Sequence, residues 1–343
     1  MPEVDDFLQQ LAGYREQTVR VLDDFIPRHD SSNHLYRIIR ELVTNTGKGL
    51  RPALCLATCG AFGGRLEDAL NSAAALELMH NAFLVHDDIE DSSEFRHGRP
   101  ALHVSEGIPI SVNVGDAMQA LSMRLLRRNV ESLGPDLAMR IFDEFDHLLF
   151  RSLEGQATEL GWVRDNNCEV TSADYLRLVL NKTCWYSFIH PCRMGWLIAQ
   201  QRPATDPDRF NEFGFLLGAA FQIADDVLNL TADTKYGKEI NGDLYEGKRT
   251  LMLTHLLENS NFERRCELQS ILAKPRDRRL PRDIFRLDSW LRGAGSLEYA
   301  QKAAQDLRAA AAKSFENAFR EALDNQHLRF LKALIPYVVS RQH

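Results

Sequence analysis

Residues 65–91 read RLEDALNSAAALELMHNAFLVHDDIED, and their reading decides the fold. The run holds no glycine or proline and is rich in alanine and leucine, which are strong helix formers. Its spacing predicts one helix of about seven turns. The run closes on acids: Asp87, Asp88 and Asp91, with Glu90 beside them. At 100° per residue the three aspartates fall within an arc of about 100°, so their carboxylates share one helix face. Close carboxylates repel one another, and such a cluster suits a hard cation. Mg²⁺ takes oxygen ligands and keeps several waters.

Outward from this stretch the same helical pattern recurs over 110–131, 135–161, 172–200, 208–230 and 296–324. The breaks carry helix-end chemistry. Thr171 or Ser172 can cap the helix over 172–200, and Asp206-Pro207 opens the next. Gly98-Arg99-Pro100 and Gly107-Ile108-Pro109 mark a loop, and KPRDRRLPRD at 274–283 reads as a solvated charged connector. With 20 glycines and 12 prolines in 343 residues, breakers are fewer than average usage supplies. Neither strand alternation nor a hairpin signal stands out. The expectation is an all-α chain, one large helical bundle spanning 1–343 around a central cavity, with its chemistry between facing helices.

Composition excludes other classes. Apolar residues at 44% and charged residues at 26% describe a soluble chain able to bury a large core, not a disordered one. A net charge of −7 weighs against nucleic-acid binding. The acidic N-terminus MPEVDDFLQQ lacks the layout of a secretory signal. Phe215–Ala224, the longest uncharged apolar-rich run, is too short to span a bilayer. Six scattered cysteines, with Cys55 and Cys59 outside any CxxC pattern, read as reduced thiols of a cytoplasmic protein.

A second acidic cluster lies in FQIADDVLNL, where Asp225, Asp226 and Asn229 repeat the spacing of the first. Each cluster follows an apolar run, which places the acids at a cavity mouth. Carboxylate-held Mg²⁺ usually holds a phosphorylated substrate, and that requires cations. Lys48 and Arg51 stand in GKGLRP, Arg96 and His97 in FRHGRP, and Lys182-Thr183 within a helical pattern. Lys238 and Lys248 flank the acidic turn NGDLYEG. A diphosphate cradle is the economical common explanation.

In order, GKGLRP, ELMHNAFLVHDDIED, RHGRPALH, VNVGD, GQATEL, NKT, FQIADDVLNL, GKEINGDLYEGKRTL and FLKALIPYVVSRQH cover roughly residues 30–340. On these motifs the chain resembles the trans-isoprenyl diphosphate synthases of the polyprenyl synthetase family, of the medium-chain, geranylgeranyl diphosphate-forming kind. The resemblance implies an isoprenoid synthase fold, a homodimer, and condensation of isopentenyl diphosphate with an allylic diphosphate (dimethylallyl, geranyl or farnesyl) on three Mg²⁺. It assigns Asp87, Asp88 and Asp91, and Asp225 with Asp226, to the metal. Arg96, Lys182, Lys238 and Lys248 would grip the allylic diphosphate, with Thr183 and Gln222 lining the reacting end. Among these, Lys182, Thr183, Gln222 and Lys238 are the residues expected to act in catalysis. Lys48, Arg51, His80 and His97 would bind isopentenyl diphosphate. Ala82 and Phe83 would set the tunnel floor and hence product length, with C20 preferred and C15 or somewhat longer as alternatives. A class I terpene cyclase would need no isopentenyl site, and a silent subunit of a heteromeric synthase commonly lacks an aspartate motif.

Three positions depart from the family pattern. His97 stands where a second arginine is usual, Asn229 replaces a final aspartate, and Gly49 replaces a second basic residue. A neutral oxygen at Asn229 can still orient a metal-bound water, so activity is expected to survive.

Overall fold

The computed structural model describes residues 2–28, 33–45, 47–202, 206–231 and 239–340. The deciding stretch forms a helix, α4, over Leu66–Glu90. Its buried residues include Ala73, Ala74, Ala75, Leu78 and Met79 on adjoining faces, so it is a central helix rather than a surface one. It packs against α1 (Pro2–Phe25), α2 (Tyr36–Asn45), α3 (Leu50–Ala61) and α6 (Ile108–Leu133), with the short α5 (Leu102–Ser105) beside it. Gly134 is the only break between α6 and α7 (Pro135–Arg164), and Pro135 opens α7 where its missing N–H costs nothing.

The pattern over 172–200 resolves into three joined pieces: α8 (Ser172–Val179), a π-helical stretch (Leu180–Ile189) and α9 (His190–Gln200). Thr171 is the cap. Its side chain accepts from the Asp174 N–H at 3.2 Å, while Asp174 Oδ2 accepts from the Thr171 N–H at 3.1 Å. The π stretch is gripped from both sides by glycines. A Cβ on Gly155 of α7 would lie 2.4 Å from the Lys182 nitrogen, and one on Gly218 would lie 2.8 Å from Cys184 Sγ.

Helix α10 runs Asn211–Thr231 behind a 3₁₀ turn at Asp208–Phe210, so Asp206-Pro207 opens that turn and not the α-helix itself. Next come α11 (Gly242–Glu246), α12 (Leu251–Glu258), α13 (Phe262–Leu272) and α14 (Pro281–Gly293). Helix α15 covers Ser296–Ala318, stopping short of the predicted 324, and α16 covers Gln326–Ser340. Asn325 Oδ1 starts α16 by accepting from the His327 and Leu328 N–H groups at 3.0 and 3.1 Å.

A minimal hairpin, β1 (Phe95–Arg96) with β2 (Arg99–Pro100), departs from the all-helical expectation. His97 and Gly98 form its turn at φ +52° and +74°, the positive values that a two-residue type I′ turn requires. One buried cluster joins α1–α4, α6, α7, α9 and α16, another joins α8 and α11–α14, and α10 and α15 contribute to both. The segment Asp208–Thr231 is apolar and long enough to cross a membrane, yet 61% of its apolar window is buried within the protein. It is a core helix.

Candidate active site

A cavity of about 590 Å³ draws walls from both clusters: Phe83, Tyr186 and Phe221 from the first, Tyr175 and Val179 from the second. The C-terminal end of α4 brings Asp87 to its wall, and α10 brings Asp225 and Asp226. The hairpin delivers Arg96 and His97, the π stretch Lys182 and Thr183, and the segment after α11 Lys248. Lys48, Arg51 and His80 line the same cavity. Lys238 lies outside the described residues.

Each cation is shared between an aspartate of the first motif and a second carboxylate. Arg96 donates through Nε to Asp88 Oδ1 at 2.9 Å and pairs through Nη2 with Asp87 Oδ2 at 3.4 Å. Lys182 Nζ sits 3.4 Å from Asp87 Oδ1 and in closer contact with Glu159. Lys248 Nζ lies 2.6 Å from Asp91 Oδ2 and 2.7 Å from Glu246 Oε2. Burial alone would discharge the two lysines, but their carboxylates overcome it and raise both above the ordinary lysine range. Asp88 and Asp91, both expected among the metal ligands, do not line the cavity wall: Asp88 is 4% exposed and turned to Arg96, and Asp91 is held by Lys248.

In the second motif the Tyr175 hydroxyl donates to Asp226 Oδ2 at 2.7 Å, and Gln222 Nε2 donates to Oδ1 at 2.8 Å. Thr183 Oγ1 in turn donates to Gln222 Oε1 at 2.9 Å, so Thr183, Gln222 and Asp226 form one chain. Burial raises the Asp226 carboxyl to about 7 against these hydrogen bonds, and Asp225 adds repulsion. Asp91 is likewise pushed up by burial, with Lys248 opposing. Asn229 has another task. Its Oδ1 accepts from the Asp243 N–H at 3.1 Å, fastening the segment that carries Lys248, while the residue still lines the cavity.

Among the described residues no three His, Cys, Asp or Glu groups gather as a ready-made metal centre. The chemistry of the donor set still fits a hard divalent cation. Asp87 and Asp91 on one helix, and Asp225 with Asp226 on another, offer only carboxylate oxygens, and buried carboxylates pushed upward want added positive charge.

At the other end Arg51 Nη2 donates to Tyr186 Oη and to Ser187 Oγ, each at 2.8 Å, while its buried Nε has no hydrogen-bond partner. The guanidinium also stacks 4.4 Å from the Tyr186 ring centroid. Lys48 Nζ donates to Tyr337 Oη at 2.9 Å. Burial, and then the charges of Arg51 and Arg96, hold His80 well below the ordinary imidazole range, and its Nδ1 is buried without a partner. Gly49 adopts φ +67° with the Arg15 stem 3.1 Å from where a Cβ would stand, so a longer residue there meets both strain and contact.

Phe83 lines the cavity with its ring edge-on to Tyr186 at 5.4 Å. Ala82 does not line it; the residue is fully buried in helix packing. Sequence reasoning also missed Glu77, Gln156, Glu159, Tyr175, Tyr186 and Tyr337, all in the wall. Gln156 and Glu159 in GQATEL, Glu77 in ELMHNAFLVHDDIED and Tyr337 in FLKALIPYVVSRQH stand among the matched motifs, whereas Tyr175 and Tyr186 carried no such signal. The arrangement puts alternating charges beside an apolar chamber, which suits a polyanion with a hydrocarbon tail.

Known proteins resemble this chain in sequence and fold. The family model described as "Polyprenyl synthetase" matches residues 32–285. A geranylgeranyl diphosphate synthase of Sulfolobus acidocaldarius is 34% identical over 249 residues, 72% of this chain and 74% of its own. The crystal structure of a geranylgeranyl pyrophosphate synthetase from Pyrococcus horikoshii superposes with a TM-score of 0.85 at 27% identity, covering 98% of this chain and 99% of that one. A polyprenyl synthase from Caulobacter crescentus, crystallised with calcium and isoprenyl diphosphate, superposes at 0.82 with 26% identity, covering 99% of this chain and 98% of that one.

Proposed function

Because the chain belongs to the polyprenyl synthetase family and is a trans-prenyltransferase, we propose that its cavity condenses isopentenyl diphosphate with an allylic diphosphate, most readily to geranylgeranyl diphosphate. The observation that carries this reading is the pairing of Arg96, Lys182 and Lys248 with carboxylates at the wall of an apolar chamber. Family enzymes depend on magnesium. Three ions are our proposal, held by Asp87 and Asp91 on one side and by Asp225, supported by Asp226, on the other. When bound they would supply Lewis-acid charge to the diphosphate oxygens.

The chain's own residues do the rest. Arg96, Lys182 and Lys248 offset the charge that gathers on the departing allylic diphosphate, the largest electrostatic lever of such a site. Asp88 keeps Arg96 in place. Lys238 joins the lysines in this assignment from the sequence pattern alone. Thr183 and Gln222 line the reacting end. Lys48, Arg51 and His97 bind the diphosphate of isopentenyl diphosphate, and His80 works there as a neutral imidazole. The isopentenyl double bond attacks the allylic cation. Phe83, Phe221 and Val179 keep water from that cation, and the released diphosphate takes the proton lost when the new double bond forms.

We further propose one helical domain over 1–343, a homodimer, and a cytoplasmic setting supported by buried thiols at Cys55, Cys59, Cys168, Cys184 and Cys192. Purified protein with Mg²⁺, isopentenyl diphosphate and, separately, C5, C10 and C15 allylic primers tests the reading. A C20 diphosphate from several primers is expected. Turnover to another length keeps the reaction and changes the product, and no condensation with any primer overturns the assignment.

A further inference from the structure

The segment 274–283, which reads from sequence as a solvated connector, reaches the site through a line of four alternating charges. Arg276 Nη1 lies 3.1 Å from Glu246 Oε1. The other Glu246 oxygen lies 2.7 Å from Lys248 Nζ, and that ammonium lies 2.6 Å from Asp91 Oδ2. Arg276 also pairs with Glu239 through Nη2, so it ties both flanks of the α11 segment. The inner members are well covered, with side-chain exposures of 10% for Glu246 and 17% for Lys248. Arg279 adds a second tether, donating to the Leu244 carbonyl at 3.1 Å and to the Leu272 carbonyl at 2.9 Å.

The two carboxylates on Lys248 are not equivalent. Asp91 belongs to the motif assigned to divalent cations, whereas Glu246 lies outside it and is held from behind by Arg276. A cation that draws Asp91 away leaves Glu246 as the carboxylate still paired with Lys248. In a buried set of this kind, loss of one partner leaves an uncompensated charge, and the remaining groups move.

We infer that Glu246 and Arg276 are positioning residues for the diphosphate end of the site: Arg276 orients Glu246, and Glu246 holds the Lys248 ammonium at the cavity wall. The inference rests on the functional reading above. Glu246→Gln and Arg276→Ala test it by steady-state kinetics. The expected result is a rise of about tenfold in KM for the allylic diphosphate, the loss of one charge-assisted contact, with KM for isopentenyl diphosphate within twofold. Arg276→Lys should recover most of the loss. Equal rises in both KM values, a fall in kcat alone, or unchanged kinetics in both variants overturns the assignment. If Glu246→Gln fails to fold, the Arg276 pair decides alone, since that side chain lies behind the cavity wall. Calorimetric binding of inorganic pyrophosphate with Mg²⁺ separates the two readings. Weaker binding in Arg276→Ala supports the positioning role even if wild type condenses nothing, and unchanged binding sinks it.

Discussion

Phe83 meets Tyr186 edge-on at 5.4 Å, and Tyr186 is itself pinned by Arg51 through its hydroxyl and its ring face. If Phe83 sets the tunnel floor as proposed, that floor is a pair of rings, one removable and one anchored. Phe83→Ala removes the free ring without touching a charged residue, so its product should lengthen by at least one C5 unit, read by chromatography of the dephosphorylated prenols. An unchanged product distribution would place the floor elsewhere. His97 poses a separate test at the hairpin apex, where its ring is exposed at the cavity rim. Imidazole ordinarily titrates near 6.5. If its charge helps bind isopentenyl diphosphate, KM for that substrate rises from pH 6 to pH 8, and His97→Arg flattens the profile; a flat wild-type profile rules His97 out as a charged ligand. The aspartates and lysines were legible in the sequence because their chemistry is written in residue type and short spacing. Tyr175 and Tyr186 were not, since an aromatic in a helical pattern reads as core, and only contacts across helices reveal a hydroxyl on Asp226 or under Arg51. Ala82 misled for the converse reason: adjacency to Phe83 in sequence puts it about 100° around the helix, in packing and not in the wall.

Between elements, α7 and α9 are joined by a buried polar network away from the cavity. His190 Nδ1 is 2.7 Å from Glu144 Oε2, Arg193 Nε donates to the same oxygen at 2.6 Å, and His147 Nδ1 lies 2.8 Å from His190 Nε2. A neutral His190 that donates through Nδ1 and accepts at Nε2 satisfies all three contacts. Burial, only partly opposed by Glu144, lowers His190 to about 4. Burial would raise Glu144, yet the hydrogen bonds from His190 and Arg193 hold it at about 2. Both groups bind protons more weakly folded than unfolded, so stability is lost as pH falls, first through the His190 window from about 6.5 to 4 and then through the Glu144 window below about 4.5. Asp91 and Asp226, raised by burial, act in the opposite sense over this range, so the His190 share is read as a difference: in urea unfolding the wild type should lose roughly 2–3 kcal/mol more between pH 6.5 and pH 4 than His190→Phe, whose phenyl ring cannot titrate. A loss of the same size in that variant would assign the acid limb elsewhere. Arg193→Met should cost about 1–3 kcal/mol at pH 7, because Glu144 loses both guanidinium hydrogen bonds and keeps only His190 and Arg140, which lies 3.2 Å from its Oε1. Periodicity foretold the helices over 65–91, 110–131 and 135–161 closely, since an apolar pattern fixes which face is buried. It did not foretell the π stretch at Leu180–Ile189, against which glycines on two other helices pack too closely to carry a Cβ. Nor did it show that Arg276 and Arg279 turn inward, because a run of charges looks solvated until the acceptors it reaches are known.

For the whole molecule, the expected homodimer can be argued from what α6 and α7 leave uncovered. On α7, Met139, Phe150 and Leu153 are 57%, 56% and 44% exposed, and at 100° per residue they fall within about 60° of one another. On α6, Val112 and Val130 are 40% and 44% exposed and share one direction, with Ile108 at 55% about 40° away. Two helices joined through Gly134 and packed side by side thus present apolar stripes outward, which a chain standing alone would leave to water. A twofold contact places the same patch on both partners, so a single charge is introduced twice and opposes itself across the axis. Phe150→Glu should therefore shift the protein from twice the chain mass to the chain mass in light scattering. Phe262→Glu, at a residue 84% exposed on α13, should leave the mass unchanged. A wild-type chain that scatters as a monomer at micromolar concentration would sink the dimer. A dimer that survives Phe150→Glu would move the interface off this hairpin of helices. Because α7 also carries Gln156 and Glu159 to the cavity wall, separation of the partners is expected to lower kcat as well, and dilution series of the wild-type enzyme read that coupling without any substitution.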